Sequence, residues 1–198
     1  MNASQLIKLK SPLILASKSP RRKQLLHSMG FDFEVVPSNI NEDKIFNEKA
    51  SNYVMTLAKA KAAEVASEHP NSIIIGADTT VVFDNSYLNK PKDPNEARQM
   101  LNRLSGNTHS VFSGLCIFDT SQMLIQCDYS RTDVTFRKLD DEEINYYVDS
   151  GSPMDKAGSY GIQDDMGSIF VESIVGDFYN VVGLPIVKLY KLLRGLSD

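Results

Sequence analysis

LILASKSPRR, residues 13–22, changes character at its midpoint. Leu13 to Ala16 form a short continuous apolar run bounded by polar residues, the pattern of a strand buried on both faces. Such a strand belongs in an α/β core, where helices lie on both sides of a sheet. The second half begins a helix. Ser19 has the side chain of an N-cap, Pro20 suits the first helical position, and Gly30 closes the helix ten residues on. The stretch therefore reads as strand, loop, helix.

The same alternation continues along the chain. Phe33 to Val36 is a second apolar stretch, followed by a polar segment rich in Asn, Glu and Asp, and then by a helix over Asn52 to Ala66. SIIIGA (72–77) and TTVVF (79–83) are β-branched runs on either side of Asp78, which interrupts an otherwise apolar strand signal, and Asp84-Asn85-Ser86 supplies turn chemistry. Asp93-Pro94 opens a helix through Leu104 that Ser105-Gly106 ends. Strand patterns follow at Ser110 to Phe118, Met123 to Cys127 and Asp133 to Phe136. A short helix over Asp140 to Val148, a glycine-rich loop over Gly151 to Asp165, a strand over Ser168 to Val175 and an amphipathic helix over Leu184 to Leu193 complete the pattern. No repeat, low-complexity tract or linker divides residues 1–198, which suit a single domain or one two-lobed unit.

A formal charge of −4 argues against a non-specific nucleic-acid or anionic-membrane surface, so any polyanion must be bound locally. Lys8, Lys10 and Pro12 interrupt the N-terminal apolar run, which predicts neither signal peptide nor membrane anchor and a bacterial-type cytoplasm as the compartment. Cys116 and Cys127 sit among apolar neighbours in no metal-type spacing and read as buried free thiols. There is no Walker loop, dinucleotide fingerprint or HExxH helix, and His109 has no second histidine or cysteine at ligand spacing.

What chemistry remains is local. SKSPRR joins a helix N-terminus, whose free amides favour an anion, to the hydroxyls of Ser17 and Ser19 and the guanidiniums of Arg21 and Arg22. The plainer reading is a cap followed by two solvated arginines, although cations in a helix's first turn stand against its dipole. Asp78 must reach a strand end or accept several hydrogen bonds to avoid a costly burial, and as a carboxylate there it can bind a divalent cation, deprotonate water or cap a turn. Glu34 lies inside a strand pattern, where alternation puts it on a solvent face. Lys59 and Lys61 read as solvent-facing helix lysines, and Lys90 as a loop charge. PMDKAGSYGIQ (153–163) packs an acid, a base and small residues into a loop that suits close approach to a ligand or a tight turn. Gln163 carries donor and acceptor on one planar amide, fit to pair with a nucleobase edge or to lie free on the surface.

Taken in order, ASKSPRR (16–22), GADTT (76–80), NKP (89–91), LSGNTHSVFSG (104–114), DKAGSYGIQ (155–163) and NVVGLP (180–185) resemble the Maf family. The resemblance implies an α/β fold related to the inosine-triphosphate pyrophosphatases, a central mixed sheet flanked by helices, with two lobes around a nucleotide cleft. It implies a cytoplasmic house-cleaning hydrolase of nucleotide metabolism that cuts non-adenine nucleoside triphosphates at the α-β bond with Mg²⁺ or Mn²⁺. It also allows a homodimer, with no nucleic-acid or membrane partner. By position, Asp78 falls on the family's catalytic base; Arg21, Arg22, Lys59, Lys90 and Lys156 fall on basic phosphate-binding positions; Glu34 and Asp155 match acids near the metal. Arg21, Thr79 and Gln163 resemble the branch that prefers dTTP and UTP. Two departures bear on base preference and loop geometry: Asp164-Asp165 follows Gln163 where many relatives have glycine, and Ser152 precedes Pro153 where an acid is common.

The expected division of labour follows. Asp78 activates an in-line water directly or through the metal, with Glu34 or Asp155 beside that metal. Ser17, Ser19, Arg21, Arg22, Lys59, Lys90 and Lys156 stabilise the phosphates, and Thr79 and Gln163 read the base. The rival readings are a nucleotide-binding regulator of cell division with weak or no catalysis, a 7-methyl-GTP pyrophosphatase, for which a bulkier residue at 79 and an acid at 163 are expected, and a phosphatase releasing orthophosphate.

Overall fold

The structure, a computed structural model, describes residues 2–42 and 49–196, and residue 165 by its backbone alone. Residues 43–48 of the expected polar segment lie outside the described residues. The strands are β1 (Leu13–Leu15), β2 (Glu34–Val35), β3 (Ile73–Phe83), β4 (Ser86–Leu88), β5 (Thr108–Asp119), β6 (Leu124–Phe136) and β7 (Val171–Val175). They form one mixed sheet in the order β2-β1-β3-β5-β6-β7, with β4 beside β3. The α-helices are α1 (Pro20–Ser28), α2 (Ala50–Ala66), α3 (Pro94–Leu104), α4 (Asp141–Asp149), α5 (Asp165–Phe170), α6 (Phe178–Val182) and α7 (Ile186–Gly195). The α/β expectation holds.

Four sequence readings are corrected. β3 runs without a break through Asp78, because strand pairing uses backbone groups and the buried charge is met by a partner described below. β6 is one long strand where two were expected; the polar run Asp128 to Thr132 hides its middle, because strand pairing uses backbone groups and the small hydroxyl residues Ser130 and Thr132 take buried positions there. Cys116 on β5 and Cys127 on β6 are joined in a disulfide rather than free, their Cα atoms 4.1 Å apart. The short elements β4 and α6 carry too few residues for a periodic signal, and Ser168 to Phe170, expected at the start of the strand to Val175, end α5 instead.

The chain divides into two compact units, one drawn from residues 1–78, 113–130 and 183–198, the other from 79–112 and 131–182. In the first unit, β1 pairs in parallel with β2 and with β3, Leu13, Ile14 and Leu15 standing opposite Ile73, Ile74 and Ile75. The two-residue alternation then sorts these side chains. Leu13, Leu15, Ile73, Ile75, Ala77, Leu115 and Ile117 join Leu26 of α1 and Leu189 and Leu193 of α7 in one core. Ile14, Ala16 and Ile74 join Ala62, Val65 and Ala66 of α2 in the other. Both faces of the sheet are thus covered, as the LILA run requires.

α2 lies on its face at unusually short range. A Cβ on Gly76 would stand 2.1 Å from the Ala58 carbonyl oxygen, and one on Gly114 would stand 2.2 Å from that of Val54. Only residues without a side chain on β3 and β5 let the helix backbone approach so closely.

The second unit is built around aromatic rings. Phe136 of β6 stands edge-on to Tyr160 (centroids 4.7 Å apart) and to His109 (5.1 Å), and Tyr147 of α4 packs on Phe170 at 5.2 Å. β3 and β4 form a hairpin through Asp84 and Asn85, both at positive φ, the geometry of a type I′ turn. His109 Nε2 bonds the Tyr160 hydroxyl at 2.8 Å. Burial pulls this imidazole down to about 4, against the field of Asp133.

His109 is therefore neutral when folded, and between about pH 4 and its ordinary value of 6.5 the unfolded chain binds the proton more tightly. Its contribution to stability is complete above that ordinary value and is lost as pH falls through the window, by about 2 kcal/mol at about pH 5. Urea unfolding of wild type and His109→Gln at neutral and mildly acid pH checks this. The wild type is expected to lose about 2 kcal/mol more than the variant; equal losses would place the acid sensitivity elsewhere.

Candidate active site

Gly76 and Asp78 alternate onto the same face of β3, so the face that receives α2 also carries the carboxylate. Asp78 is 7 % exposed. Lys61 of α2, 8 % exposed, donates from Nζ to Asp78 Oδ1 at 2.7 Å and pairs with Glu42 Oε1 at 2.8 Å. Two carboxylates thus share one buried ammonium. Burial pushes the Asp78 carboxyl above the usual carboxylate range, opposed by Lys61 and Arg22 and assisted by Glu42. A carboxylate that holds its proton more tightly than a solvated one is a better base toward water.

The loop after β1 folds as its sequence predicts. Ser19 caps α1 by accepting from the Arg22 amide, Pro20 takes the first turn, and Ser17 Oγ accepts from the Ser19 amide at 3.2 Å. Arg22 donates from Nε to the Gly183 carbonyl at 2.9 Å and from its guanidinium to Ser17 Oγ at 3.1 Å. Burial pulls this guanidinium below its usual range, partly offset by the Asp78 field, and Arg21 beside it adds a like charge. Within the first unit, then, a helix N-terminus, two arginines, a buried lysine and two carboxylates are assembled.

This set differs from the expected one. Lys59 is exposed, and Lys61, read from sequence as solvent-facing, is the lysine at the catalytic acid. The signal was present: Val54, Leu57, Ala58, Lys61, Ala62, Val65 and Ala66 are the buried residues of α2, and Lys61 lies on that stripe at the spacing of its neighbours. Glu42 sits in a polar segment with no periodicity to single it out. Glu34 is exposed on β2. Among the described residues no group of three or more His, Cys, Asp and Glu is gathered to hold a metal, so Glu34, Asp78 and Asp155 are not a preassembled cluster. The donor set at Lys61 nevertheless suits magnesium, which binds through one or two carboxylates and completes its shell with water and phosphate oxygens.

In the second unit, Thr79 is half-buried, and Thr80, fully buried, donates to Asn89 Oδ1 at 3.0 Å. Asn89 also accepts the Gly158 amide on its carbonyl at 3.3 Å, which ties the NKP segment to the glycine-rich loop. Lys90 beside it is exposed. Lys156 is buried and donates to the Ser152 carbonyl, to Asp155 Oδ1 at 2.8 Å and to Asp164 Oδ2 at 3.1 Å. It is the internal counter-ion of its loop here. Asn180 of NVVGLP donates to the Val111 carbonyl at 3.0 Å and to Thr132 Oγ1 at 2.9 Å, a structural pin.

Among the described residues no helix is long and apolar enough to cross a membrane. The family described as Maf-like protein matches residues 12–196. The chain is 51% identical to the dTTP/UTP pyrophosphatase of Clostridium tetani over 93% of its own length and 97% of that protein. It is 46% identical to the dTTP/UTP pyrophosphatase of Aquifex aeolicus over 93% and 95%, and 48% identical to that of Bacillus mycoides over 92% and 94%.

Proposed function

The chain belongs to the Maf-like family, and we propose that it hydrolyses dTTP and UTP to the nucleoside monophosphate and pyrophosphate, with the first unit's charged set as the phosphate and water site. The observation that carries this reading is the buried Asp78–Lys61 pair, held by α2 against β3 and joined from the exposed side by Glu42, in the same unit as the arginine-bearing N-terminus of α1.

Water loses its proton to Asp78 as its oxygen bonds the α-phosphorus; the bond from that phosphorus to the bridging oxygen breaks, and pyrophosphate leaves. Lys61 holds Asp78 Oδ1 in place, which leaves the other carboxylate oxygen for the proton. Arg21, Arg22, Ser17, Ser19 and the first amides of α1 neutralise charge on the phosphates. Asp78 and Glu42 are the residues to hold Mg²⁺ or Mn²⁺, and Glu34 and Asp155 stand outside that pair. When bound, the cation draws charge from the phosphate oxygens. Lys90 serves the phosphates, Lys156 organises its loop, and Arg21, Thr79 and Gln163 set the base preference. The compartment proposed is the cytoplasm, where nucleoside triphosphates are found.

The test is to incubate the purified chain with dTTP, UTP, CTP, GTP, ATP and 7-methyl-GTP, with Mg²⁺, with Mn²⁺ and with chelator. Ion-exchange chromatography then resolves monophosphate, diphosphate, pyrophosphate and orthophosphate. Monophosphate plus pyrophosphate from dTTP and UTP, abolished by chelator, is expected. Orthophosphate would make it a phosphatase, cleavage centred on 7-methyl-GTP would move it to another branch, and binding without cleavage would favour the regulator.

A further inference from the structure

We propose that Asp164 fixes which way round the Gln163 amide stands, and so makes Gln163 a reader of uracil and thymine that rejects cytosine; the proposal rests on the pyrimidine-triphosphate reading above. Asp164 is anchored through one oxygen. Its Oδ2 accepts from the Tyr147 hydroxyl at 3.1 Å, from Ser152 Oγ at 2.9 Å and from Lys156 Nζ at 3.1 Å. Those donors are themselves held: Tyr147 is buried and its hydroxyl accepts the Gly161 amide at 3.1 Å, while Lys156 is buried and bonds the Ser152 carbonyl. The other oxygen, Oδ1, accepts Gln163 Nε2 at 2.9 Å.

The direction of that last bond follows from chemistry. A carboxylate accepts and does not donate, so the amide must turn its nitrogen toward Asp164 and its carbonyl away. Gln163 is exposed, and what it offers another molecule is one ordered edge, Oε1 beside the second N–H.

Order decides the base. Uracil and thymine present the N3–H donor next to the O4 acceptor, whereas cytosine presents the N3 acceptor next to its amino donor. A freely turning amide satisfies either pattern by rotating through a half turn. An amide held by Asp164 satisfies only one, for a base kept in place by its own sugar and phosphates. The acid after Gln163 thus becomes a positioning residue for base choice.

The experiment compares kcat/KM for UTP and CTP, with thermal midpoints, in wild type, Asp164→Asn, Asp164→Glu, Ser152→Ala and Gln163→Leu. An asparagine at 164 can accept or donate, so the amide is freed. The UTP-to-CTP ratio is expected to fall about tenfold or more, the scale of one hydrogen bond to a charged group, with Asp164→Glu restoring part of it. Ser152→Ala loosens Asp164 without touching its bond to Gln163 and should lower the ratio by less. Loop damage alone would lower both nucleotides together and leave the ratio alone. An unchanged ratio in Asp164→Asn, or in Ser152→Ala if the former does not fold, overturns the proposal, as does a wild-type ratio in Gln163→Leu. A wild type that cleaves neither nucleotide instead sinks the pyrimidine-triphosphate reading and this inference with it.

Discussion

Asp78→Asn is expected to lose at least about a hundredfold in turnover, the scale of a lost general base, while still binding nucleotide. The side chain keeps its size, so β3 and the contact with α2 are retained, and Lys61 keeps Glu42 as a partner. What disappears is the proton acceptor. The amide cannot take a proton from water, and no other acid shares the buried position on β3. Single-turnover cleavage of dTTP with chromatographic detection of pyrophosphate reads the chemical step, and equilibrium titration of a non-hydrolysable analogue reads binding. Turnover close to wild type would take Asp78 out of the mechanism. Loss of binding and turnover together would make its hold on the metal, and not proton transfer, its main contribution.

The second large effect comes from a residue with no side chain. Gly76→Ala would place its Cβ 2.1 Å from the Ala58 carbonyl oxygen and 2.9 Å from the Ala62 amide nitrogen. Both are backbone atoms of α2, which cannot swing aside as a side chain would. The helix must lift from the sheet, opening the core of Ile14, Ile74, Ala62 and Val65 and drawing Lys61 from Asp78. The expected cost is at least about 3 kcal/mol, the upper range of overpacking, a large fraction of a typical domain's stability. Gly195→Ala is the control. Among the described residues nothing beyond its chain neighbours and its own helix backbone lies within 4 Å of its added Cβ, and it sits in the last turn of α7, so alanine is neutral or slightly stabilising there. Urea midpoints and soluble yield of both variants decide the matter, and a Gly76→Ala midpoint within error of wild type would refute the close approach as a constraint.

The parts of the fold legible in the sequence are those set by local patterns. LILA and SIIIGA announce strands because both of their faces are apolar, and Ser19-Pro20 announces a helix because a cap and a proline are local devices. Asp78 stands out because a charge in an apolar strand demands a partner. The partner itself is harder to see. A lysine on an alanine-rich helix looks solvated until the helical stripe through Leu57 and Val65 is drawn, when Lys61 falls inside it and Lys59 outside. Glu42 and three of the donors around Asp164, Tyr147, Ser152 and Lys156, were out of reach for another reason: they come from other stretches of chain that only tertiary contacts bring together. The disulfide was missed on similar grounds, since eleven residues of separation say nothing until β5 and β6 are known to be neighbours.

Arg22, in the first turn of α1, is held by the carbonyl of Gly183, and Leu184, Leu189, Leu193 and Leu196 fill the core in which Leu13, Leu15 and Leu26 sit. The unit that carries Asp78 is therefore closed by residues made long after it. At ribosomal speeds of about 5–20 residues per second, a nascent chain displays Asp78 and Lys61 for roughly 5–20 seconds before Gly183 is added. During that interval the Gly183 carbonyl and the four late leucines of that core are missing. The seat of Arg22 and the leucines that close this core thus come from a single late segment.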